Sequence, residues 1–366
     1  EEKYKKSQKY TIDNTRFGVF ASTFNIIILV VIILYGGFNW VDQHIREYNF
    51  DSNIVLGVIY FFTLFLMKDI ISIPISIYST FVIEEKYGFN KITPKLFVLD
   101  KLKGLLLALI LGSVLLGAVL YVFEVYGASA WKYAWGVMTF FIVVMPLAYT
   151  NWIAPLFNKF TPLESGELRD QIEEYAEKVS FSLREIFVMD GSKRSSHSNA
   201  YFIGFGKNKR IVLYDTLMEK HSNEEIVAIL AHEVGHYKKK HIFINLGMSI
   251  ILTGFMLYLL SFFINNRGLF DAFQMTHISN YAGIIFFSLL YTPINFALGI
   301  LMNIISRKNE YQADAYSKKT IGNGDSLIRG LKNLTTANLG NLTPHKLTVW
   351  LNYSHPPVLR RIQALK

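Results

Sequence analysis

What most constrains this chain is a series of long, uncharged apolar runs, because a helix needs about 20 such residues to cross the hydrocarbon of a bilayer. Four are uninterrupted: Phe17 to Gly37, Gly104 to Phe123, Ile242 to Ile264 and Tyr281 to Ile305. Tyr133 to Thr150 is a shorter fifth, and Ile54 to Ile83 is a sixth that carries Lys68, Asp69 and Pro74. Six spans in 366 residues, 51% of them hydrophobic and only 18% charged, predict a multi-pass membrane protein and argue against a soluble domain.

The remaining polar stretches set the expected organisation. Residues 1–150 hold four spans (17–37, 54–83, 104–123 and 133–150), and 151–241 form a polar segment. Residues 242–305 hold two more spans, and 306–366 are a second polar piece that completes the first. Lys3, Lys5, Lys6, Lys9 and Arg16 precede the first span, and Lys86, Lys91, Lys95, Lys101 and Lys103 lie between the second and third, whereas the loop Phe38 to Asn53 has only Arg46. Basic loops stay in the cytoplasm, so both polar pieces are expected there. The net charge of +9 follows this loop pattern and is not gathered on one recognition element, so no nucleic-acid partner is expected. The opening Glu1-Glu2, without an initiator methionine and too charged for a signal peptide, reads as the start of a piece of a longer protein.

Within the polar pieces, Glu167 to Val179 has helical spacing, while Glu185 to Met189, Asn199 to Phe205 and Arg210 to Tyr214 read as short strands. Ser222 and Glu225 make a capping-box pattern ahead of the apolar-periodic run Ile226 to Tyr237, so that run is predicted to be a helix.

That helix carries Ala231-His232-Glu233-Val234-Gly235-His236, a His-Glu-x-x-His motif that puts two imidazoles one turn apart on one face. The chain has no cysteine, so a metal must be held by His, Asp or Glu. Glu310 is the expected third ligand, with a fourth position left for water. Asp314, four residues on and on the same helix face, is expected to orient His232 or His236. The bland alternative is that Glu310 and Asp314 only balance Arg307 and Lys308 on a helix surface. If both helices continue unbroken from their spans, His236 lies about 9 Å and Glu310 about 8 Å beyond the apolar runs. The chemistry expected is that of one zinc ion per chain: it lowers the pKa of bound water and polarises a carbonyl, while Glu233 takes and returns the proton. A developing oxyanion needs a further partner besides the metal.

His44, His221, His241, His277 and His345 lack ligand spacing and read as structural or surface residues, while His197 is left open by its closeness to Asn199. Lys68 and Asp69 read as a pair that lines a water-filled space or joins two shorter segments. Pro74, Pro146 and Pro293 are expected to kink or end helices.

Five separated blocks besides His232 to His236 resemble the CAAX prenyl protease 1 family: Tyr87 to Lys91, Pro155 to Leu163, Gly191 to Tyr201, Glu310 to Asp314 and Ser354 to Pro357. The resemblance implies a mainly α fold: a polytopic membrane helical bundle enclosing a chamber, with a small α+β gluzincin-like zinc protease domain. It implies that His232, His236 and Glu310 bind zinc and that Glu233 is the base. It places Asn199, with Ala200 and Tyr201 on the strand that follows, and His355 and Arg361 at substrate-contacting positions, the last two also as partners of the oxyanion. The partners implied are a prenylated peptide or protein substrate and membrane lipid, with the catalytic side facing the cytoplasm, in a bacterial inner membrane or the endoplasmic reticulum. Set against the family's seven spans, the six runs counted here lead to the expectation that the stretch given does not include the family's first span. Competing expectations are a quality-control protease of the HtpX type, a multi-span metal transporter, and a non-catalytic scaffold for prenylated proteins.

Overall fold

A computed structural model describes residues 1–203 and 209–366. Helices α1 (Glu2–Leu34) and α2 (Gly37–Arg46) lead into α3 (Asn53–Tyr78), a π-helical turn over Ser79–Glu84 and the short α4 (Glu85–Tyr87). α5 (Pro94–Tyr126) starts on the Thr93 side chain, which accepts from the Leu96 N–H at 3.2 Å, with Pro94 at the first helical position where its missing N–H costs nothing. The chain then reverses at Gly127–Ser129, where Gly127 has φ 49°, into α6 (Ala130–Ala148). Tyr126 and Tyr133 stack across that turn with ring centroids 4.1 Å apart. A second π-helical turn, Tyr149–Ile153, precedes α7 (Ala154–Phe157). Both π-helical turns follow a helix with an internal proline, Pro74 in α3 and Pro146 in α6, whose ring removes a donor from the hydrogen-bond ladder.

The polar half contributes α8 (Glu167–Lys178), α9 (Asp215–Met218) and α10 (Asn223–Lys238). Its four strands, β1 (Phe160–Pro162), β2 (Leu183–Met189), β3 (Ala200–Ile203) and β4 (Lys209–Tyr214), form one sheet in the order β1-β2-β4-β3. β2 and β4 are parallel, and the outer pairs are antiparallel. β1 is an edge strand that the sequence reading missed. Of the expected strand Asn199 to Phe205, Ala200–Ile203 is β3, and Gly204 and Phe205 lie outside the described residues. α11 (His241–Phe263), α12 (Arg267–Ala272), α13 (Asn280–Leu290) and α14 (Thr292–Ile321) follow, then α15 (Asp325–Ala337), α16 (Lys346–Asn352) and α17 (Val358–Leu365).

Among the described residues, four helical segments are long and apolar enough to cross a membrane: Glu2–Leu34, Asn53–Tyr87, Pro94–Phe157 and His241–Phe263. α13 and α14, bent by 54° where Pro293 begins α14, pass together as a fifth. Pro94–Phe157 contains both α5 and α6, so the six apolar runs fall largely on these segments, the first running past the end of α1 and the last crossing the α13–α14 bend. Asp69 does not pair with Lys68 as expected. It reaches across from α3 to Lys101 on α5, at 2.9 Å, because helix neighbours one residue apart point in different directions.

The sheet and α10 share one core built from Ile172, Tyr175, Phe181, Ile186, Ile211, Leu213, Ile226, Leu230 and Val234. Each such large side chain stabilises the domain by roughly 1.5–3 kcal/mol relative to exposure. This core fixes α10 between the sheet and α14.

Candidate active site

α10 starts on Ser222, whose side chain accepts from the Glu225 N–H, and it packs face to face with α14. Gly235 permits the close approach: a Cβ there would lie 3.0 Å from the Ala313 Cα. The glycine inside the His-Glu-x-x-His motif therefore has a packing reason of its own, and it brings His232 and His236 opposite Glu310.

The three ligand candidates converge. His232 Nε2 lies 3.1 Å from His236 Nε2 and 3.5 Å from Glu310 Oε2, and His236 Nε2 lies 3.2 Å from Glu310 Oε1. Three donor atoms around a tetrahedral zinc with arms of about 2.0–2.1 Å would be separated by about 3.3 Å. The Nε2–Nε2 spacing of 3.1 Å and the two spacings to the Glu310 carboxylate, one to each oxygen, lie on either side of that value. Glu310 Oε2 is buried without a hydrogen-bond partner, an acceptor that a cation would satisfy. The residues present fit zinc.

Asp314 holds His232, with Oδ1 2.8 Å from Nδ1, and not His236. The same carboxylate takes two hydrogen bonds from Arg361, Nε to Oδ2 at 2.8 Å and Nη2 to Oδ1 at 2.6 Å. Arg361 Nη1 also lies 3.3 Å from Glu310 Oε2. The guanidinium is buried and engaged by these two acids. His355 sits differently. Its ring is exposed, with Nε2 3.4 Å from Glu310 Oε1 and Nδ1 3.0 Å from Ser354 Oγ. The bland alternative for Glu310 and Asp314 fails, because Arg307 turns away from both acids and donates to the carbonyls of Val349, at 3.1 Å, and Tyr353. It thereby holds the segment that carries His355.

Burial raises the Glu233 carboxyl above the ordinary carboxylate range, with His232, His236, Glu310 and Arg361 near enough to act on it. Burial also opposes charge on His232, but Asp314 and Glu310 outweigh it and lift its pKa to about 9. Glu310 and Asp314 are desolvated too, yet hydrogen bonds led by His232 keep both below the usual range. The set is poised as two ionised acids facing imidazole nitrogens.

Asn199 is exposed at the start of β3, and its backbone carbonyl accepts from the Tyr214 N–H at 3.1 Å. Ala200 and Tyr201 pair with Leu213 and Val212 of β4, which leaves the other edge of β3 without a strand partner among the described residues. His197 stacks on Phe89 at 4.0 Å and lies 3.2 Å from Asn338 Oδ1, so it ties the α4 region to the sheet and lies outside the metal cluster. Sequence reasoning missed His241, which is 1% exposed and faces His236. The distance of about 9 Å for His236 holds only if α10 continues unbroken into its span. The chain instead breaks at Lys240, φ 61°, before α11 begins, while α14 does run unbroken from its apolar part to Glu310.

Helices long enough to span a bilayer, joined to a sheet-and-helix domain with a His-His-Glu cluster and an adjacent glutamate, define a membrane zinc metallopeptidase. Residues 1–159 match the family model described as CAAX prenyl protease N-terminal, five membrane helices, and residues 162–366 match peptidase family M48. The chain is 38% identical over 378 residues to the probable CAAX prenyl protease 1 of Schizosaccharomyces pombe, covering 100% of this chain and 80% of the relative. A CAAX prenyl protease 1 homolog of Oryza sativa is 38% identical over 377 residues, with 100% and 87% covered. The crystal structure of S. mikatae Ste24p superposes with a TM-score of 0.93 at 37% identity, covering 100% of this chain and 89% of that one. The chain belongs to the CAAX prenyl protease 1 family, with its fold of a helical membrane bundle enclosing a chamber and a small α+β zinc protease domain.

Proposed function

We propose that this protein hydrolyses peptide bonds near the C terminus of prenylated CAAX-type proteins, with His232, His236 and Glu310 holding zinc and Glu233 as the general base. The observation that carries this is the convergence of three donor atoms within 4.8 Å of one another beside the half-buried Glu233. Zinc bound there supplies Lewis acidity toward water and a scissile carbonyl. The chain's own groups do the rest. Glu233, raised by burial, takes a proton from the attacking water and returns it to the leaving amine. Asp314, fixed by two bonds from Arg361, holds His232 in the tautomer that leaves Nε2 free. Arg361 acts by positioning. His355, exposed at the rim, is the group left to donate toward a developing oxyanion. The open edge of β3, from Asn199 through Tyr201, would align an extended peptide by backbone pairing. The basic loops favour a cytoplasmic catalytic side.

The test is incubation of purified protein with a farnesylated CAAX peptide and its unprenylated twin, with cleavage sites read by mass spectrometry. Chelator-sensitive cutting between the prenylated cysteine and the next residue, on the farnesylated peptide preferentially, is expected. Equal cutting of both would move the substrate class to quality control, and no cutting of either would overturn the proposal.

A further inference from the structure

The two metal-facing histidines are held by different devices. On His232 the partner is a carboxylate, Asp314. On His236 no acid stands behind the ring: Nδ1 faces His241 Nδ1 at 3.1 Å, and His241 Nε2 faces Gln312 Oε1 at 2.9 Å. His241 is almost fully buried, so this chain of groups is closed to solvent at its centre. We infer that His241 and Gln312 form a neutral relay that fixes the tautomer of His236, and so act as positioning residues for zinc binding.

The argument runs from the far end of the relay. A carboxamide oxygen only accepts, so His241 Nε2 carries the proton that Gln312 receives. A neutral imidazole protonated at Nε2 has a bare Nδ1, and that nitrogen can meet His236 Nδ1 at 3.1 Å only if His236 donates. His236 therefore carries its proton on Nδ1, and its Nε2 presents a lone pair toward His232 Nε2 and Glu310 Oε1. In the opposite tautomer Nε2–H would point into the donor cluster and block the metal. A metal-ligating histidine commonly gives its other N–H to a fixed acceptor for this reason.

The backbone is shaped for this contact. On an unbroken helix a residue five positions on lies about 140° around the axis and could not face His236. The left-handed Lys240, a conformation unusual for a side chain with a Cβ, ends α10 and turns His241 back onto it. Gln312 arrives from α14, two residues beyond Glu310, so the relay links both zinc-bearing helices to the first turn of α11. It does so without adding a further negative charge to a site that already buries Glu310 and Asp314 and half-buries Glu233.

The inference rests on the zinc-site reading above, and its test reads metal affinity, not turnover. Zinc affinity of the purified full chain would be measured by chelator competition for wild type, His241→Asn, His241→Gln and Gln312→Leu, with His232→Ala as the control and thermal unfolding recorded for each. His241→Asn puts an amide oxygen close to the place of Nδ1 and should stay within about threefold of wild type, whereas His241→Gln and Gln312→Leu should weaken zinc by about 10–100-fold. A packing role alone would make the two His241 variants lose affinity alike, in step with their unfolding temperatures, and that result would overturn the relay. Wild-type protein that takes up no more zinc than His232→Ala would instead overturn the zinc site itself.

Discussion

Asp42 and Glu310 are buried acids at opposite ends of the helices, and they differ in how far their carboxylates are satisfied. At the end remote from α10, Asp42 is fully buried, with Arg46 Nε 2.8 Å from its Oδ2 and the Tyr281 hydroxyl donating to its Oδ1. Arg46 Nη2 in turn donates to Tyr281 at 2.7 Å. Every acceptor in this knot has a donor. At the α10–α14 cluster, Asp314 is satisfied in the same way by Arg361 and His232, but Glu310 Oε2 makes no hydrogen bond, has Arg361 Nη1 only as an ion-pair neighbour at 3.3 Å, and shares its carboxylate with two imidazole nitrogens. A buried charge alone therefore does not mark a site, because folds bury paired charges for structural reasons. The mark is acceptor capacity that the protein leaves for something else.

Breaking the two clusters should separate these roles. Glu310→Ala should abolish zinc retention and reduce peptide cleavage to background, as chelation of wild type should; metal analysis beside a cleavage assay checks both. Asp42→Asn weakens the closed knot and leaves Arg46 poorly compensated, so it should destabilise the fold by up to about 3–5 kcal/mol. Zinc per folded chain and turnover per folded chain should stay at the wild-type level, which a thermal melt with parallel metal analysis would reveal. Asp314→Asn likewise leaves the buried Arg361 poorly compensated, so it should lower the melting temperature and in addition, unlike Asp42→Asn, weaken zinc by about 10–100-fold per folded chain. Arg267→Ala, which removes an exposed pair with Asp271 at 2.8 Å, should change stability by less than about 1 kcal/mol and leave zinc affinity unaltered.

The site was legible in the sequence where spacing within one helix determines geometry. His232, His236 and the faces of Glu310 and Asp314 follow from a repeat of 3.6 residues, as does the capped start at Ser222. What spacing could not reveal depends on breaks and crossings. His241 reaches His236 only because Lys240 leaves the helical conformation, and no residue type at that position announces it. The pairing of Arg361 with Asp314 depends on how α17 docks against α14, a contact between residues 47 apart along the chain. Asp69 was matched to its sequence neighbour Lys68, whereas its partner Lys101 is on the next long helix. The apolar runs mark helices long and apolar enough to cross a bilayer, because apolarity over about 20 residues needs no tertiary context. β1, with three residues, carries too little pattern to be read in advance.

The most direct test of the account is Glu233→Gln in the full-length chain, assayed for zinc content and for cleavage of the farnesylated peptide in the same preparation. The account predicts one zinc per chain, as in wild type, with cleavage slowed by about 10²–10⁴-fold. Wild-type cleavage with zinc retained would show that Glu233 is not the base and would contradict the mechanism.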